Sequence, residues 1–127
     1  MNKNQIVEIE LGIKNGIDVT IYAKKELSWE QMQEIRVGLE KGIDVTIYAK
    51  LEFDAQQMGQ IRRGLEAGLA VSIYAKPEFN SHRMRQIRVG LEVGLDASTY
   101  AKPYIKWEEM SKIRRRLSKE KKWTNSK

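Results

Sequence analysis

Four arginines stand 26 residues apart: Arg36, Arg62, Arg88 and Arg114. A guanidinium is a permanent cation with five donors in a fixed fork, suited to phosphate or carboxylate. One arginine per repeat predicts one of two things. The ladder is a surface for phosphates or an acidic partner, or it pairs with Glu40, Glu66 and Glu92, four residues further on. Exposed pairs of the second kind contribute little, about 0–1 kcal/mol each. Arg63, Arg83 and Arg85 do not recur in the neighbouring full copies, which marks them for a specific contact. The densest charge comes last: Arg114, Arg115, Arg116, Lys119, Lys121 and Lys122 lie within nine positions of one another, with Trp123 beside them. Such a cluster binds polyanions with strong salt dependence, or serves as a solubilising cap.

Aromatic side chains offer a second chemistry. Tyr22, Tyr48, Tyr74 and Tyr100 recur in register, as core or as a stacking platform for bases. Trp29 and Trp107 stand where other copies have Ala55 and Ser81, so that position is not obligate core. An exposed tryptophan there is an anchor for a partner; the alternative is packing on the preceding loop. Catalysis finds little support. The single histidine, His82, aligns with Glu30, Gln56 and Glu108, and there is no cysteine. The glycines are spaced to end and pack helices, not to cradle phosphate. No enzyme, cofactor or metal site is expected.

These residues are carried by a repeat. SWEQMQEIRVGLEKGIDVTIYAKLEF (28–53) returns at 54–79 and 80–105, with a looser copy at 2–27 and a truncated one at 106–117. A fixed period in this range signals a repeat architecture, here one domain over residues 1–127 with a basic tail at 118–127. Ser28, Asp54, Asn80 and Asn2 are N-cap types, and Gln31 and Gln57 complete capping boxes. Leu27, Phe53, Phe79 and Ile105 stand five residues before Met32, Met58, Met84 and Met110, a hydrophobic staple. A helix of about 13 residues follows, ended by Gly42, Gly68 or Gly94. Gly38, Gly64 and Gly90 interrupt it at a cost of about 1 kcal/mol each, which predicts close approach of a neighbouring backbone.

The second half of each repeat, IDVTIYAK, has strand propensity. The copies nevertheless keep the helical face 45/48/49 better than the strand face 45/47, since the latter becomes Ala97 and Thr99. Two short helices per repeat are expected, the second capped by Asp18, Asp44 or Asp96 and closed by Lys-Pro at 76–77 and 102–103. The fold class is then all-α, αα-hairpins stacked as a small solenoid. The alternative is an α/β horseshoe of the leucine-rich-repeat kind. At the end, Lys106 replaces the cap and Arg116 the mid-helix glycine, so one longer helix is expected there. Trp123 is expected to fold back as a lid on the last repeat, and Thr124–Lys127 to be disordered.

Nine of the 23 Lys/Arg but three of the 17 Asp/Glu lie from Lys106 onward, so the whole net charge of +6 belongs to that segment. No apolar run approaches the roughly 18 residues of a membrane span. MNKNQIVEIE has no signal-peptide core, and a cytoplasmic protein is expected.

The string QMxxIRxGLExGxDVxxYAKPEF, carried here by Met58, Ile61, Arg62, Gly64, Leu65, Glu66, Gly68, Tyr74, Ala75, Lys76, Pro77 and their equivalents from Gln5 to Leu117, resembles a short helical repeat family. That family occurs in phage and mobile-element proteins of Gram-positive bacteria. The resemblance implies a small accessory factor in a bacterial host cell, concretely a stoichiometric anti-defence (anti-CRISPR-like) inhibitor of a host nuclease or nucleoprotein complex. Two other functions fit the residues: a direct DNA- or RNA-binding protein using the arginine ladder and basic C-terminal helix, and an assembly factor that self-associates through its terminal repeats.

Overall fold

The computed structural model describes residues 1–125. They form five α-helices: α1 (Lys3–Lys14), α2 (Trp29–Glu40), α3 (Ala55–Glu66), α4 (Ser81–Glu92) and α5 (Trp107–Asn125). Each helix packs on the next along the chain. No strand occurs among the described residues, and the horseshoe alternative is not supported.

The helix starts form as their residues dictate. Asn2, Ser28, Asp54 and Asn80 each accept the N–H of the third helical residue. Gln5, Gln31 and Gln57 close the box through Oε1. Their Nε2 then does something local rules do not foresee: it donates to the carbonyl of Leu27, Phe53 or Phe79 (2.6–2.7 Å), just before the next helix. One amide therefore caps its own helix and clasps the following repeat. Helices α1 to α4 end at Gly16, Gly42, Gly68 and Gly94, with φ between 70° and 76°. The bonds Ile43 N to Gly38 O and Gly42 N to Leu39 O make a Schellman motif.

The second half of each repeat is not an α-helix. It is a single 3-10 turn of three residues: Val19–Ile21, Val45–Ile47, Val71–Ile73 and Ala97–Thr99. Asp18, Asp44 and Asp96 are its caps, as expected. Each carboxylate takes both the N–H and the hydroxyl of the residue two places on. That bond pattern closes a turn, and β-branched Val-Thr-Ile is poor at extending it into a helix. Ala70 has no side-chain cap and its turn still forms, so packing suffices.

What each turn delivers is a tyrosine. Tyr22, Tyr48, Tyr74 and Tyr100 are fully buried, which excludes the stacking-platform role. Their hydroxyls donate to Glu8, Glu34, Gln60 and Gln86 carbonyls at 2.6–2.9 Å. They form one core with Met32, Met58, Met84, Met110, Ile35, Ile61, Ile87, Leu27, Phe53 and Phe79. The mid-helix glycines also find their reason here. A Cβ on Gly38, Gly64 or Gly90 would lie about 2 Å from the Tyr48, Tyr74 or Tyr100 hydroxyl. A phenol makes the close approach, not a neighbouring backbone. No tyrosine follows α5, and Arg116 stands there in place of glycine.

α5 runs on as the longer helix expected of KIRRRLSKEKKW. Trp123 lies on it 63% exposed, so it is no lid. Thr124 and Asn125 are helical, not disordered; Ser126 and Lys127 lie outside the described residues.

Candidate macromolecule-binding face

The arginine ladder bridges consecutive helices. Arg36 Nε donates to Glu8 and its Nη1 to Glu40 (2.6 and 2.8 Å). Arg62 bonds Glu34 (2.6 Å) and Glu66 in the same way. Burial works against charge on both guanidiniums, but the hydrogen bonds they donate to two carboxylates each, with the carboxylate charge, outweigh it and hold the proton more firmly. Glu40 is held below the usual carboxylate range by Asn15 and then Arg36. At Glu66 burial opposes, and Arg62 and Lys41 carry the pKa down.

The partner changes along the ladder. Arg88 Nε meets Gln60 (2.9 Å), an amide, and its Nη1 meets Glu92. Arg114 Nε meets Gln86 (3.0 Å) and, among the described residues, no carboxylate. Two carboxylates thus serve each of Arg36 and Arg62, one serves Arg88, and none serves Arg114. The hydrogen-bond geometry is kept while the neutralising charge is withdrawn. The ladder is hydrogen-bonded throughout; Glu92 balances Arg88 one to one, and only Arg114 is left without a carboxylate among the described residues.

An open groove of about 550 Å³ crosses α2, α3 and α4 on one side. Gly59 lies in it, where the neighbouring helices have Gln33 and Arg85. Glu30 and Glu34 line its α2 end; Arg63, Arg85 and Arg88 line the rest. Arg63 and Arg85 are exposed and make no ion pair among the described residues. By repeat register Lys112 and Arg115 occupy the Gln86 and Val89 positions one helix further on, and both are exposed. Arg63, Arg85 and Arg88 therefore share one side, which the register of Lys112 and Arg115 continues onto α5.

The other residues singled out by sequence divide. Arg83 takes the clasp role of Gln57: its Nε donates to Ile105 O (2.7 Å). Lys121 Nζ bonds the Val93 and Gly94 carbonyls (3.3 and 2.6 Å) at the end of α4. A cation there suits the negative end of the helix dipole. Arg116 lies 3.8 Å from Glu120, both well exposed. Lys119 and Lys122 are exposed on α5. Trp29 is half-buried, whereas Trp107 is 39% exposed. Trp107 stacks on His82, ring centroids 5.5 Å apart, at the edge of the groove. The alignment of His82 with Glu30, Gln56 and Glu108 gives no hint of this pairing, which spans adjacent repeats. Gln60 and Gln86 were also missed, though reading the Glu8, Glu34, Gln60, Gln86 column in register exposes the change of charge.

No described helix is long and apolar enough to cross a membrane. No family model, curated protein or solved structure matches the chain.

Proposed function

We propose that this chain is a non-enzymatic binding protein, a small solenoid that engages an anionic macromolecular surface along α3, α4 and α5. The observation that carries the reading is the replacement of Glu8 and Glu34 by Gln60 and Gln86. It leaves Arg88 with one carboxylate and Arg114 with none, beside Arg63 and Arg85, which make no ion pair among the described residues. The His82–Trp107 stack supplies a partly exposed aromatic at the same edge, the kind of anchor an interface uses. The concrete form is a stoichiometric inhibitor of a host nuclease or nucleoprotein complex, the anti-defence role that the repeat resemblance implies.

Direct binding of DNA or RNA is the second reading, favoured by the charge of α5. A pull-down from a Gram-positive bacterial lysate, with and without nuclease and at two salt concentrations, separates the two. A protein partner that survives nuclease and is lost with the triple variant Arg63→Glu, Arg85→Glu, Arg115→Glu supports the inhibitor reading. Recovery of nucleic acid alone, lost at higher salt, moves the function to the second. Binding that ignores the triple variant but fails with Lys24→Glu and Lys50→Glu, exposed residues outside the groove, overturns the choice of face.

A further inference from the structure

Every interior junction uses one polar contact in the same register. A residue at position 8, 34, 60 or 86 accepts from Arg36, Arg62, Arg88 or Arg114 of the next helix. The two outward faces carry the same positions with the signs exchanged. On α5 the acceptor position is Lys112, and on α1 the arginine position is Glu10, both exposed. The exchange is complementary. A second copy laid with its α1 against α5, in the interior register, sets Glu10 of one copy against Lys112 of the other.

The apolar residues fit the same occupant. Ile6 occupies the position of Met32, Met58, Met84 and Met110, all fully buried, yet is 44% exposed. Ile13 occupies the position of the partly buried Leu39, Leu65 and Leu91 and is 62% exposed. At interior junctions a tyrosine hydroxyl sits against the mid-helix glycine. On α5 that glycine is Arg116, an exposed side chain 3.8 Å from Glu120. Its aliphatic stem, with that of Lys112, can cover isoleucines while the charged ends stay in water.

We propose that the chain associates head to tail with copies of itself, α1 of one on α5 of the next, through a Glu10–Lys112 pair and Ile6 and Ile13. Such an interface is heterologous and does not close on itself, so growth is open-ended. One helix pair makes a small interface, so association is weak and reversible. The proposal does not depend on the binding face proposed above.

Sedimentation of the 127-residue chain over a concentration series tests it, with circular dichroism to check folding of each variant. The expected result is a mass that climbs without a plateau. Glu10→Lys alone, or Lys112→Glu alone, turns attraction into repulsion and weakens association about tenfold. An equimolar mixture of those two variants regains it, as does the double variant E10K/K112E. A chain monomeric up to millimolar concentration overturns the proposal. So does a mass that stops at the dimer, or association indifferent to both single variants; either result places the contact elsewhere.

Discussion

The Tyr48 hydroxyl stands 2.1 Å from where a Cβ on Gly38 would lie, and it donates to Glu34 O four residues before that glycine. Helix and tyrosine are therefore matched as a pair. Glycine to alanine in a helix ordinarily gains about 1 kcal/mol. Here Gly38→Ala is expected to lose about 1–3 kcal/mol through overpacking against Tyr48 and Val45. Tyr48→Phe removes the nearest clashing atom, so the double variant should lose less than the sum of the singles. Urea denaturation of the four proteins reads this coupling; simple additivity would contradict it.

Gly42 offers the contrast. Its φ is 71°, and nothing lies within 4 Å of an added Cβ. Gly42→Ala should cost about 1–2 kcal/mol from backbone conformation alone, and Gly42→Asn less. A thermal melt that ranks alanine above asparagine would show that space, not φ, governs this position.

The Glu34–Arg62 bridge has a natural substitute one repeat later, where Gln60 accepts from Arg88. Glu34→Gln should therefore keep the junction, with a stability loss under about 1 kcal/mol. It should also raise affinity for a polyanion, since Arg62 then has one carboxylate instead of two. An unchanged melt with tighter heparin retention is the expected pair of results.

Neutralising Arg63, Arg85 or Arg115 should lower polyanion affinity and flatten its salt dependence. For duplex DNA each lost phosphate contact removes about 0.9 from the log–log slope. Lys24→Gln, at an exposed position outside the groove, should leave the slope unchanged.

The buried tyrosines set an alkaline limit. Burial raises the pKa of all four, opposed by the nearby arginines; Tyr100 is pushed up to about 12, against roughly 10 in the unfolded chain. A raised folded pKa gives stability that is full below the unfolded value and lost as pH rises through the folded one. Unfolding should therefore begin above about pH 10, with tyrosinate absorbance and loss of helical signal rising together. The acid side has the opposite sign. Asp18, Asp44 and Asp96 are lowered by the Thr20, Thr46 and Ser98 hydroxyls and N–H groups, and Glu40 and Glu66 are lowered as well. Their contribution is present above about pH 4 and fades as pH falls through the depressed values. Tyrosinate absorbance that rises before the helical signal falls would contradict the alkaline part.

Much of this architecture can be read from local chemistry. Caps at Ser28 and Asp54 and the stop at Gly42 each follow from a residue's own conformational demand, whereas α2 runs unbroken through Gly38. The tyrosine that answers Gly38 lies ten residues on, and only packing joins them. The turn at Val45–Ile47 is shorter than the second helix expected there, because the face 45/48/49 recurs equally well in one turn of helix. The site is harder to read. Arg83 looks special because it does not repeat, yet it stands in for a clasping glutamine. Gln60 looks bland, yet it withdraws a charge from Arg88. Both depend on residues 22 to 28 positions away, beyond the reach of any local rule.

The side chain of Gln57 holds the first turn of α3 with one atom and the carbonyl of Phe79 with another. Starting a helix and docking the next repeat are thus one event. A chain wired in this way resists fraying one repeat at a time, because melting a junction also strips a cap. Its unfolding should spread as a front between neighbours instead of as independent losses. The fourth helix is the place for that front to start: Arg83 keeps the clasp, but the return bond to the cap is missing there.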